Sequence, residues 1–124
     1  MRPDLSTYLG KRVTVVVDRP LGSRHPDHDI WYAVNYGYVP GTLAADGEPI
    51  DVYLLGTYEP VAEATGVVIG IVLRADDVED KLVVAPEGKW YSAEQVRALI
   101  EFQERFFDSR VVIEPRKPIL SSPR

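Results

Sequence analysis

What most constrains this chain is a series of short β-branched apolar runs, each cut off by turn residues before it reaches helix length. "RVTVVVD" (12–18) ends at Pro20, "IDVYLLG" (50–56) follows "DGEP", "GVVIGIVLR" (66–74) runs into "ADDVED", and "KLVVAP" (81–86) is closed by Pro86 and Gly88. Runs of this composition and length read as strands. "IWYAV" (30–34) reads as a further short strand and "RVVIEP" (110–115) as a last one. "RPLGSRHPDHD", "YVPGTLAADGEP" and "TYEPVAEAT" carry loop chemistry, and the glycines within 66–74 predict a bulge or a close backbone approach.

Only one helix announces itself. "SAEQ" at Ser92 is a capping-box pattern with Gln95 three residues on, followed by apolar Val96, Leu99, Ile100, Phe102, Phe106 and Phe107. Five or six strands and one late helix predict an α+β, mainly β domain: a small antiparallel barrel with the C-terminal helix packed on it. The 124 residues suit a single domain over 1–124, with its core at about 12–113 and a tail at 114–124.

The composition excludes several classes. Cysteine is absent, so there are no thiolate metal sites or thiol nucleophiles. "GVVIGIVL" is too short to span a bilayer, and the N-terminus has no apolar signal region; a cytoplasmic protein is expected. The net charge of −5 argues against non-specific binding of nucleic acid or an anionic membrane. That charge is local: residues 46–51 carry −3 and 74–81 a further −2, which together make up the whole excess.

If 50–56 and 66–74 were antiparallel neighbours, Asp46, Glu48 and Asp51 would meet Asp76 and Asp80 across one rim. Converging carboxylates must protonate, spread into water as solvated turns, or bind cations. All-oxygen ligands favour a hard ion, Mg²⁺ first, with Mn²⁺ and Ca²⁺ sharing the preference. Mg²⁺ commonly completes its shell with phosphate oxygens. Lys81 beside the acidic loop, and Arg19, Arg24, His25 and His28 in "DRPLGSRHPDHD", offer cations and donors for such a ligand.

"NYGYVPGT" followed by "DGEPIDV", and later "DDVEDKLVVAP", resemble the N-Y-G-Y segment, the D-x-D-x-x-D metal motif and the Asp, Asp and Lys segment of the soluble family I inorganic pyrophosphatases. The resemblance covers roughly residues 12 to 107. It implies an OB-like barrel, Mg²⁺, a homo-oligomer and hydrolysis of pyrophosphate to two phosphates. By position it makes Asp46, Asp51, Asp76 and Asp80 metal ligands, with Asp51 bridging two metals. It makes Glu48 the carboxylate that orients or deprotonates the attacking water, Tyr36 and Lys81 phosphate contacts, and Arg24 the phosphate-binding arginine.

The chain departs from that pattern in places. An early hairpin bearing a lysine and a glutamate has no equivalent, Glu48 stands for an aspartate, and one residue is missing between Asp80 and Lys81. Phe106-Phe107 replaces a Tyr-Lys pair. The leading expectation is Mg²⁺-dependent hydrolysis of pyrophosphate. The alternatives are a metal-dependent hydrolase of another small phosphate compound, nucleotide or ester, and a non-catalytic metal- or phosphate-binding oligomeric module.

Overall fold

The computed structural model describes residues 3–76 and 78–114. After a 3-10 turn at Leu5–Tyr8 come β1 (Arg12–Arg19), β2 (Asn35–Val39), β3 (Ile50–Leu54), β4 (Glu63–Arg74), β5 (Lys81–Ala85), α1 (Ala93–Glu104) and β6 (Ser109–Ile113). The strands run in the order β1-β2-β3-β5-β4-β6, and β1 also pairs with β4. That pairing closes a five-stranded barrel. The first half of β4 bonds β1 (Val67 opposite Arg12) and its second half bonds β6 (Gly70 opposite Ile113). Closure leaves the five barrel strands without an open edge.

Two features differ from the sequence expectation. β3 and β4 are not neighbours: β5 lies between them, antiparallel to β4 and parallel to β3, so the barrel is not wholly antiparallel. The start of β3 nevertheless lies beside the start of β5, because parallel strands in register (Val52 opposite Leu82) begin at the same end. Second, "IWYAV" is not a strand. Trp31 makes one bridge, to Arg24, and the strand is instead "NYGYV". Both neighbours of β2 run out at Asn35: β3 ends at Leu54 opposite it, and β1 ends at Arg19 opposite Tyr36, followed by Pro20, which has no N–H to donate.

Alternation along the strands sorts the side chains into two layers. Val15, Val17, Ile50, Val52, Leu54, Leu82 and Val84 pack together inside the barrel, while Tyr36, Tyr53, Val83 and Ala85 form an outer cluster with Val96 and Ile100 of the helix. In β4 the register shift between Val68 and Gly70 reverses the parity. Val68 and Ile71 thereby face inward, and Ile69 and Val72 face outward. This is the bulge anticipated from the glycines. Gly37 is required by proximity: a Cβ there would stand 1.9 Å from the Val16 carbonyl oxygen.

The helix starts as expected. The Ser92 side chain accepts from the Gln95 N–H, and Gln95 returns a bond to Ser92. Its buried face, however, holds Gln103 and Glu104 as well as Val96 and Ile100, while Leu99 and Phe106 are exposed. Among the described residues no helix is long and apolar enough to cross a membrane. All of the predicted tail except Glu114 lies outside the described residues.

Candidate active site

Asp51 and Lys81 each precede a residue of the Val52–Leu82 register pair, so both point to the outer face, where Tyr53 and Val83 also lie. There Asp51 Oδ2 accepts hydrogen bonds from the Tyr36 hydroxyl at 3.0 Å and from Lys81 Nζ at 3.0 Å. The Asp51 side chain is 38% exposed, while that of Lys81 is almost fully buried. A charged ammonium held this far from water needs its carboxylate. Burial, and then the negative charge of Asp51, push the Tyr36 hydroxyl well above its ordinary pKa. It therefore remains protonated and donates.

These groups line an open cleft of about 710 Å³ together with Asp18, Arg19, His25, His28, Asp29, Ile30, Tyr32, Arg74, Gln103, Phe106 and Phe107. Three regions of the chain build it: the face of the sheet, the loop between β1 and β2, and the residues leaving α1. Asn35, fully buried, ties the loop down: its side-chain oxygen accepts from the Leu21 N–H and its amide donates to the Glu59 carbonyl.

Behind the cleft runs a buried polar chain. Arg19 donates to the Tyr32 hydroxyl (3.2 Å), which donates to Gln103 (2.9 Å), which donates to the Tyr53 hydroxyl (2.7 Å), which donates to Glu104. Arg74 completes it with a two-pronged bond to Glu104 at 3.2 and 2.7 Å, its guanidinium lying 3.5 Å from the centre of the Phe107 ring. Burial by itself would lower the Arg74 pKa, but the hydrogen bond and charge of Glu104 outweigh it and the net shift is upward. Burial first, and then the same carboxylate, push the Tyr53 hydroxyl up as well. Both chain ends, Arg19 and Arg74, present cations to the cleft.

The remaining expected site residues are distributed unevenly. Asp46 sits on an exposed turn, accepting the Glu48 N–H at 2.9 Å, and Glu48 itself is exposed. Asp80 is buried and accepts the Arg74 N–H at 3.0 Å. Asp76 accepts the Asp108 N–H at 3.1 Å, bracing the entry to β6. Arg24 is not brought to the cleft wall. It faces solvent and pairs with Asp29 at 3.5 Å. Its place on the wall is taken by Arg19, because β1 delivers its last residue there whereas Arg24 lies out in the loop.

Glu79 also belongs among these carboxyls, although the sequence motif does not mark it. Its pKa is raised, first by burial and then by the charge of Asp46, with which it also shares a hydrogen bond; Asp51 adds a smaller push and Lys81 opposes it. Asp18 is likewise raised by burial, with Arg19 opposing and Asp51 adding to it. Asp18, Asp51, Glu79 and Asp46 thus interact electrostatically in series, the first two of them on the cleft wall. A signal for Glu79 existed in the sequence, since it is part of the acidic run that ends at Lys81. Gln103 and Glu104 gave none, because polar residues late in a helix normally face water.

The donor set suits a hard, oxygen-binding cation. Among the described residues no three such side chains close into a ready-made cage, but Mg²⁺ retains waters and needs only one or two carboxylates plus substrate oxygens. Of the cleft's own cations, Lys81 is held by Asp51 and Arg74 by Glu104, while Asp18 and Asp29 add negative charge to the same wall. A polyanion entering here therefore calls for added positive charge.

A sequence profile of the inorganic pyrophosphatase family matches residues 11–117. Inorganic pyrophosphatase 2 of Pseudomonas syringae pv. tomato is 32% identical over 120 residues, covering 82% of this chain and 65% of that protein. The inorganic pyrophosphatase of Campylobacter jejuni is 28% identical over 116 residues, 83% of this chain and 64% of its own length. The chain thus spans slightly less than two thirds of these relatives. In three dimensions the inorganic pyrophosphatase of Ehrlichia chaffeensis overlays with a TM-score of 0.67 at 17% identity, covering 85% of this chain and 87% of that one. At that identity the overlay speaks for the fold, an OB-like barrel, and the sequence matches carry the kinship. With most of its length matched by the family profile, the chain belongs to the inorganic pyrophosphatase family.

Proposed function

We propose that this chain hydrolyses inorganic pyrophosphate to two orthophosphates with the help of Mg²⁺. The observation that carries the reading is the Asp51 carboxylate, gripped on one oxygen by Tyr36 and Lys81 and left accessible at the mouth of a cleft that also holds Arg19. Asp51, Asp46, Glu79 and Asp80 would hold the metal, with Asp76 added by the family pattern. When bound, the metal polarises phosphoryl oxygens, acidifies a bound water and neutralises the leaving phosphate.

The protein's own groups have distinct tasks. Lys81 and Arg19 attract the phosphates, and Arg19 is oriented by the Tyr32 hydroxyl. Tyr36, held protonated, offers a hydrogen bond to Asp51 or to a phosphate oxygen but does not act as a base. Glu48, on the turn beside Asp46, is assigned the attacking water, which it orients and relieves of a proton. The same reading includes a homo-oligomer working in the cytoplasm on a small phosphate compound, with no role for nucleic acid or membrane; light scattering checks the assembly.

Phosphate release from pyrophosphate, with and without Mg²⁺, is the direct assay. Asp51→Asn should weaken Mg²⁺ binding in a calorimetric titration and reduce turnover together. Glu48→Gln should retain most of the metal binding and slow single-turnover hydrolysis by about 10² to 10⁴. A parent chain that releases no phosphate at millimolar Mg²⁺, or an Asp51→Asn variant that binds metal and turns over like the parent, refutes the reading.

A further inference from the structure

Pyrophosphate has no apolar surface, yet much of the cleft is aromatic. Phe106 lies on its wall with 60% of its surface exposed, next to Phe107, whose own ring is already covered by Arg74. The loop between β1 and β2 adds Ile30, His25 and His28. The two imidazoles are 4.7 Å apart, and His25 lies nearly parallel to the Tyr32 ring at 6.4 Å. Burial and the nearby charge of Arg19 lower the His25 pKa, and its Nδ1 accepts the Asp27 N–H at 3.0 Å; both favour an uncharged ring. The volume of about 710 Å³ is in the range that holds drug-sized organic molecules, far more than a bare pyrophosphate fills.

From this we infer that the cleft accepts a nucleoside diphosphate as substrate, its two phosphates among Arg19, Lys81 and Asp51-bound metal and its base stacked on Phe106 beside the histidine loop. The inference rests on the reading of the same site as a phosphoanhydride hydrolase. The reaction is the same displacement: a water oxygen bonds to the terminal phosphorus and the bridging P–O bond breaks. Its electron pair leaves with the nucleoside monophosphate, and the water proton passes to the carboxylate that orients it. A flat ring offering its face to a base gives affinity with little sequence preference, as aromatic platforms for single nucleotides do. Recognition of several bases is therefore expected.

The test uses the full chain with Mg²⁺ and two non-hydrolysable probes, methylenediphosphonate and the α,β-methylene analogue of adenosine diphosphate, measured by calorimetry. The nucleoside should improve affinity by about tenfold. Phe106→Ala should bring the ratio of the two affinities close to one, and Phe106→Tyr should restore it. Adenosine diphosphate should release phosphate with a lower KM in the parent than in Phe106→Ala. Phe106 is solvent-exposed and follows the helix, so the variants should fold, which circular dichroism checks. Equal affinities in the parent, a ratio that survives Phe106→Ala, or no phosphate from adenosine diphosphate overturns the inference. So does a Phe106→Ala chain that loses self-association while keeping the parental ratio, since the ring would then be a contact between copies. Pyrophosphate run in parallel separates the two levels: if it is neither hydrolysed nor mimicked by methylenediphosphonate, the underlying site reading fails. If it is, and the nucleoside adds nothing, only the nucleotide proposal fails.

Discussion

Replacing Glu104 with leucine should destabilise this protein about as much as truncating one of its large apolar core residues. Arg74 and Glu104 have side chains only 5% and 6% exposed, and Glu104 takes both prongs of the guanidinium as well as the Tyr53 hydroxyl. Removing one member of such a pair takes the main counter-charge from the other in the interior, which costs about 3 to 5 kcal/mol. For 124 residues the unfolding entropy is about 0.26 kcal/mol/K, so a loss near 4 kcal/mol lowers Tm by about 15 °C. The Phe107 face on Arg74 offsets little of this, since a cation–π contact contributes about 2 kcal/mol at most and is already present in the parent. Glu104→Leu combined with Arg74→Met should regain most of the loss, because well-packed apolar groups often replace a buried ion pair without penalty. Urea melts of the parent, Glu104→Leu, Arg74→Met and the double variant supply the cycle. A Glu104→Leu chain within about 1 kcal/mol of the parent, or a double variant as unstable as the sum of the singles, refutes the reasoning.

Gly37→Ala should prevent folding or cost about 3 kcal/mol or more, because the new methyl would meet the Val16 carbonyl at 1.9 Å and its nearest neighbours are all unyielding β1 backbone; soluble expression and thermal melts check it, and a normal melt refutes it. For His25 the folded-state pKa is lowered, so on acidification the unfolded chain takes up the proton first. Its contribution is therefore neutral above about pH 6.5 and turns destabilising as pH falls from there toward the lower folded value. His25→Gln should flatten that part of the stability–pH curve in urea melts between pH 7 and 5; an unchanged slope counts against the assignment.

Gly37 and Asn35 explain why the second strand lies later in the chain than composition alone suggests. "IWYAV" has the better strand composition, yet "NYGYV" forms the strand, because β1 and β3 both end opposite its first residues and only glycine allows β1 to approach. The start of the helix, by contrast, was legible, since its capping box and its Val96–Ile100 stripe lie within nine residues of one another. Lys81 and the 46–51 turn stood out as candidate site residues in the sequence for the same reason. Their chemistry is concentrated in two short segments, and the family motif quoted from those segments spans them.

Arg19 could not be preferred to Arg24 from sequence, since both sit in one basic loop. Their fates were decided by where β1 ends. Nor could the insertion of β5 between β3 and β4 be read, because each of those runs has the propensity to pair with either neighbour. The sequence by itself determined the local elements other than the second strand, the barrel class and the acidic segments, as these depend on propensities and contacts within a few residues. Only the tertiary structure decided strand order, the partners of Asp51 and the burial of Gln103 and Glu104. Those depend on hydrogen bonds and ion pairs between residues about thirty to seventy positions apart, whose energies exist only once the barrel has brought the two ends together.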